Sequence, residues 1–344
     1  MLFALVMAAS VTVAVGYVAL AALRQPFAGP AAVTSQPPAV ASATPSASGQ
    51  PTAPTAPTAS NDPQVASRVL FQNIERESGY ARVAQVPADN PTGPRTVSDM
   101  TCERIHFAAG QGLCLVPEHG LVTTYRAVVF DSAFQAVHEV ALGGAPTRAR
   151  VSPDGRYGAA TVFVFGHSYA DANFSTQTLI IDMETGASLG DLEAFTTLRD
   201  GVAWQSEDFN FWGVTFSPSD SSTFYATVRS AARTYLVRGD IDERSMEVLG
   251  ENVECPSLSP DGTRVAFKKL AEGLIGQWRL HVLDLETMTD LPLAETRNID
   301  DQVEWLDERT VLYGDGQHIW SVPSDGSGEP TMFISDGLSP AVVR

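Results

Sequence analysis

The sequence predicts an all-β fold, a six-bladed β-propeller of four-stranded antiparallel blades, preceded by one transmembrane helix and a disordered linker. Three observations predict it. The tetrapeptide Ser-Pro-Asp-Gly stands at Ser152-Pro153-Asp154-Gly155 and again at Ser259-Pro260-Asp261-Gly262, with a degenerate Ser-Pro-Ser-Asp at residues 217–220. Each copy leads into short β-branched and aromatic strands, which make four-strand repeats of the kind that forms a propeller blade. A second polar turn, between third and fourth strands, recurs near residues 88, 132, 184, 242, 286 and 325, which gives six units.

Residues 2–23 are an uncharged apolar run long enough to cross a hydrocarbon core of roughly 30 Å. The run is longer than a signal-peptide core and has no basic segment before it, so it reads as a retained anchor over residues 1–23. Ala19-Leu20-Ala21 offers a small-residue cleavage pattern, which leaves secretion after cleavage as the alternative. Arg24 is the only nearby charge and votes weakly for cytoplasm on its own side. Residues 24–62 are rich in Pro, Ala, Ser and Thr and have no hydrophobic period. Such a stretch cannot bury enough apolar area to offset its ordering entropy, and it reads as an extended stalk. Stalks of this kind favour export, which places the body over residues 63–344 on the extracytoplasmic side of a cell membrane.

The body is strongly acidic. The chain of 344 residues carries a formal net charge of −18, which argues against nucleic acid as a partner and against a polybasic hold on anionic lipid. In the repeated turn, Pro sets φ at the first central position, Asp caps locally, and Gly takes positive φ at the exit. The first unit has strands near residues 69–74, 80–86 and 95–98, with no inner strand ahead of them. The C-terminal residues 338–344 resemble the inner-strand start at residues 256–260. They are expected to complete blade one and close the ring, which removes free sheet edges.

These residues resemble the TolB-like propellers, whose blades carry a Ser-Pro-Asp-Gly turn between inner strands. The resemblance covers roughly residues 65–344 and is closest at residues 208–227 and 255–285. The chain also resembles bacterial single-span proteins described as TolB-like translocation proteins. It departs from TolB itself in having an apolar run and a stalk where TolB has an α/β domain, so a Tol–Pal partnership does not carry over.

Several groups are candidates for chemistry. Gly166-His167-Ser168-Tyr169-Ala170 approximates a nucleophile elbow, but no helix pattern follows it. Six histidines are scattered without metal-ligand spacing, and His106 on an inner strand is the best placed of them. Asp300, Asp301, Glu304, Asp307 and Glu308 form an acidic cluster that can hold Ca2+ or a cationic partner group, or simply be a solvated rim. Trp204, Glu207, Asp208, Phe209, Phe211 and Trp212 lie on an unusually long connection into blade four. They can anchor a peptide or a glycan, or pack between blades. Cys102 and Cys114 flank a hairpin and are expected to form a disulfide, which leaves Cys255 free.

The functional expectation is therefore a non-enzymatic, membrane-tethered scaffold that binds a protein or cell-envelope partner and needs no cofactor. The alternatives are a propeller enzyme (a lyase or glycan hydrolase) or a metal or small-molecule sensor that uses the channel mouth.

Overall fold

The computed structural model describes residues 67–77, 79–164, 175–271 and 276–344, and these form six sheets arranged as successive blades. Blade one contains β1 (Arg68–Asn73), β2 (Arg82–Pro87), β3 (Thr96–Thr101) and, as its inner strand, β26 (Gly337–Val343). Blade two is β4 (Arg104–Ala108), β5 (Gln111–Glu118), β6 (Thr124–Asp131) and β7 (Ala136–Leu142). Blade three is β8 (Ala145–Val151), β9 (Tyr157–Val164), β10 (Ser175–Asp182) and β11 (Ser188–Asp191).

Blade four has β12 (Thr196–Arg199), β13 (Val202–Ala203), β14 (Asn210–Phe216), β15 (Thr223–Ser230), β16 (Arg233–Asp240) and β17 (Ser245–Glu251). Blade five is β18 (Glu254–Leu258), β19 (Arg264–Leu270), β20 (Trp278–Asp284) and β21 (Asp290–Pro292). Blade six is β22 (Glu304–Trp305), β23 (Thr310–Gly314), β24 (Ile319–Pro323) and β25 (Thr331–Ile334). The described residues contain one 3-10 turn, Leu192–Ala194, and no α-helix. The expected anchor over residues 1–23, the stalk over 24–62 and the Gly-x-Ser-x-Gly-like stretch at 166–170 lie outside the described residues.

The repeated turns form for the local reason the sequence states. In blade three, Gly155 N–H donates to Ser152 O, Ser152 Oγ accepts from Tyr157 N, and Asp154 Oδ1 accepts from Arg156 N at 3.0 Å. Blade five repeats this with Ser259, Asp261 and Gly262, and Asp261 Oδ1 accepts from Thr263 N at 3.0 Å. Both glycines have positive φ, +79° and +74°, where a Cβ would be strained. Burial would raise the Asp261 pKa. The Ser259 hydroxyl and the Thr263 N–H reverse that and hold the carboxyl at about 2.

Packing between blades supplies the core. Leu70 and Val83 of blade one lie in one cluster with Ile105, Phe107, Cys114 and Phe130 of blade two and with Ala341 and Val343 of β26. Two blades share a further device. Phe130 lies over Gly112 and Phe224 over Gly239, each across a strand pair, so that a Cβ on either glycine would fall within 2.2 Å of the ring. A disulfide joins Cys102 and Cys114, with a Cα separation of 5.4 Å. Cys102 sits on the connection ahead of β4 rather than on that strand, and the cross-strand neighbour of Cys114 is Ile105. The bridge thus ties the blade-one exit to the second strand of blade two. Cys255 is a buried free thiol.

Blade four departs from the four-stranded expectation. The dipeptide Asp200-Gly201 has φ +53° and +73°, the two positive values of a type I′ hairpin turn, and it folds β12 onto β13. The β12 strand then pairs in parallel with β17, from Thr196 opposite Ser245 to Leu198 opposite Glu247, so this sheet has six strands.

Candidate functional site

Antiparallel order puts the turns between first and second strands, and between third and fourth, on one face. The turns between second and third strands, and the blade-to-blade connections, lie on the other. Gly155 sits against Ala109 and Gly262 against Pro218, so the Ser-Pro-Asp-Gly turns abut the equivalent turns of neighbouring blades on that first face. The candidate residues at 204–212 and 300–304 enter along connections and belong to the second face.

The inner strands of blades two and three bring Arg104, Arg148 and Arg150 across from Asp300 and Asp301 of the connection into blade six and from Glu304 at the start of β22. Glu304, at 5 % exposure, is buried and forms an ion pair with Arg150. His106 Nε2 is 3.6 Å from the same carboxylate, and Glu304 Oε1 accepts from Val342 N at 3.3 Å. Asp300 pairs with the buried Lys268 and lies 3.9 Å from Arg148, and Asp301 Oδ2 accepts from Gly314 N at 3.1 Å. These carboxylates face cations and an amide rather than one another. Asp300, Asp301 and Glu304 are thus engaged within the chain, while the Asp300 side chain stays 59 % exposed. Among the described residues no three His, Cys, Asp or Glu side chains converge as ligands. Asp307 caps its own turn by accepting from Arg309 N at 2.7 Å, and Glu308 lies 3.6 Å from Arg264.

The electrostatics of this cluster follow from burial against pairing. Burial raises the Glu304 pKa, but the Arg150 charge and the His106 hydrogen bond outweigh it and hold the group at about 2. The His106 pKa is lowered, first by burial and then by Arg150. His106 Nδ1 accepts from Val151 N at 3.1 Å, and its Nε2 lies 3.0 Å from Arg150 Nη1 and 3.6 Å from Glu304. Both pKa values are depressed on folding, and the unfolded chain therefore binds more protons in acid. Unfolded glutamate titrates near about 4.3 and histidine near about 6.5. Stability should be complete above about pH 6.5. It should decline as His106 resists protonation, and decline further below about pH 4.3 as Glu304 is protonated on the way to about 2. Urea midpoints measured from about pH 7 to about pH 5 should fall, and the fall should be shallower in His106→Gln.

The aromatic stretch divides in two. Phe211 and Trp212 are buried at 1 % and 7 % exposure on β14, whose every residue is buried, so they are core and leave the candidate surface. Trp212 instead helps wall a separate hollow of about 420 Å3 between blades four and five. The Asp208 carboxylate is occupied within the chain. The Ser206 and Ser230 hydroxyls and the Ala231 N–H donate to it at 2.6, 2.7 and 2.6 Å and hold its pKa at about 2. It pins the connection to the β15–β16 turn.

Trp204, Glu207 and Phe209 remain, and the structure brings them together in a groove of about 450 Å3 with Glu193, Phe195 and Thr197. The Trp204 ring stands edge-on to Phe209 and Tyr235, with centroids 4.8 and 5.3 Å apart. Trp204 N–H donates to Thr197 O at 2.8 Å, so the β12–β13 hairpin positions the ring directly. Arg199 covers Trp204 at 5.4 Å and pairs with Glu251 at 3.3 Å. Glu193, Phe195 and Thr197 were not singled out in the sequence. The signal that could have found them is Asp200-Gly201, a strong hairpin dipeptide between Thr-Thr-Leu-Arg and Val-Ala-Trp.

No model of a known protein family matches the chain, and no curated protein sequence matches it. Solved structures do. TolB of Acinetobacter baumannii superposes with a TM-score of 0.57 at 16 % identity, over 81 % of this chain and 67 % of that one. A chain of the nidogen/laminin complex gives 0.54 at 10 % identity, over 80 % and 98 %. A putative TolB of Agrobacterium tumefaciens gives 0.48 at 11 % identity, over 80 % and 91 %. The fold is that of a TolB-like six-bladed propeller.

Proposed function

We propose that this chain is an exported, membrane-tethered propeller scaffold that binds a protein or other cell-envelope partner through the blade-four groove. The observation that carries the reading is the β12–β13 hairpin. Four strands complete a blade, and among the described residues blade four alone adds two more, which wall a hollow lined by Trp204 and Phe209. Aromatic side chains fixed on a rigid frame are frequent anchors of recognition. The apolar run over residues 1–23 and the Pro/Ala/Ser/Thr-rich stretch over 24–62 support the tether and the export. A propeller of similar fold in the nidogen/laminin complex supports a protein as the partner. The enzyme and sensor alternatives would draw on the cavity of about 200 Å3 that His106, Arg150, Glu304 and Arg344 help line, where Arg150 and Glu304 are already paired with each other.

The test is mild cross-linking of the full-length tagged chain in its own cells, followed by mass spectrometry of what is captured. A stoichiometric envelope component that is lost in Trp204→Ala/Phe209→Ala is the expected result. Capture that is unchanged in that variant would contradict the assignment.

A further inference from the structure

We infer that the blade-four groove receives a basic side chain, lysine or arginine, from a protein partner. The inference rests on the groove being the binding site and adds the chemistry of what enters it.

Two carboxylates and three aromatic rings line the groove, and none of its lining residues is cationic. Glu207 is exposed and makes no hydrogen bond or ion pair among the described residues. Its neighbour Asp208 shows the contrast, since three internal donors neutralise its demand for partners. The nearby cations are committed elsewhere. Arg199 and Arg233 both pair with Glu251, at 3.3 and 3.5 Å, and Arg244 donates to Leu189 O at 2.7 Å. The rings of this region already stack with guanidinium groups, with Arg199 over Trp204 and Tyr235 and Arg244 over Phe195 at 4.7 Å.

The groove therefore has two complementary parts. Trp204 and Phe209 offer apolar and π surface to an alkyl stem and its cationic head, and Glu207 at the rim answers the charge. Charge complementarity also excludes the reverse assignment. The chain carries a net charge of −18, so an acidic segment would meet repulsion both from the protein at large and from this groove.

Full-length protein labelled with 5-fluorotryptophan tests this by fluorine NMR, with Trp204→Phe assigning the Trp204 signal. The probes are the blocked peptides Ala-Lys-Ala-Lys-Ala and Ala-Glu-Ala-Glu-Ala, and chitotetraose. The lysine peptide is expected to shift the Trp204 signal. Its affinity should fall about tenfold between about 50 mM and about 500 mM salt. It should also fall about tenfold in Glu207→Gln. The control Asp99→Asn, an exposed blade-one carboxylate paired with Arg82, should leave it unchanged.

The inference is overturned if the lysine peptide leaves Trp204 unmoved. It is equally overturned if the shift survives loss of the Glu207 carboxylate, or if chitotetraose binds in its place. Cellular capture that depends on Trp204 but not on Glu207 would sink the basic-segment inference while leaving the binding site in place. Capture that does not depend on Trp204 would sink the site itself.

Discussion

Deleting residues 337–344 is expected to abolish cooperative folding of the propeller. β26 supplies the inner strand of blade one, with Arg68 opposite Val343, Val69 opposite Val342 and Asn73 opposite Gly337. Val342 packs with Phe71, Leu312 and Ile319, while Ala341 and Val343 pack with Leu70, Ile105 and Phe107, so one strand holds blades six, one and two together. Each buried valine contributes about 1.5–3 kcal/mol and each ladder hydrogen bond about 1 kcal/mol. Their sum approaches the ~5–15 kcal/mol that stabilises a typical domain. Loss of the strand also bares the long edge of β1, a template for aggregation. Thermal unfolding followed by far-UV circular dichroism should show no sigmoidal transition in the truncated chain. A truncated chain that melts like the full-length protein would show that the ring does not depend on this closure. Val342→Asp, which keeps the backbone, should give the same result in milder form.

Glu304→Ala is expected to destabilise the protein by about 3–5 kcal/mol, because it strands a buried guanidinium. Arg150 is 7 % exposed, and besides Glu304 it contacts the Ser257 hydroxyl at 3.3 Å, the Val303 carbonyl at 3.2 Å and His106 Nε2 at 3.0 Å, none of which carries a negative charge. Alanine also removes the acceptor for Val342 N and the carboxylate facing His106. The double variant Arg150→Met/Glu304→Leu removes both charges, and it should recover most of the loss, since buried pairs are often replaceable by apolar side chains. Urea denaturation of the two singles and the double would measure this. A single-variant cost below about 1 kcal/mol would mean that the pair is solvated rather than buried.

How much of this was legible in the sequence depended on how local the cause was. The Ser-Pro-Asp-Gly turns declare themselves within four residues, because Ser152, Asp154 and Gly155 satisfy one another. The closing strand could be read from its likeness to the start of β18, another local pattern. The Arg150–Glu304 pair could not be read, because 154 residues separate its members and only ring closure brings them together. For Phe211 and Trp212 the sequence leaves both a surface and packing between blades open, because a strand buried on both faces has no polar alternation to mark it as core. The groove was half legible. Its aromatic wall stood out in composition, but the opposite wall needed the Asp200-Gly201 turn to be read as a hairpin and β12 to dock in parallel on β17, a tertiary event with no sequence period.

Position-resolved photo-cross-linking tests the central claim most directly. A benzophenone amino acid at Gln205, on the groove lip, would be compared in living cells with one at Asp325, on the opposite face of blade six. The account predicts one discrete adduct from Gln205, suppressed by Trp204→Ala, and none from Asp325. An adduct from Asp325 alone would contradict it and move the working surface to the other face of the propeller.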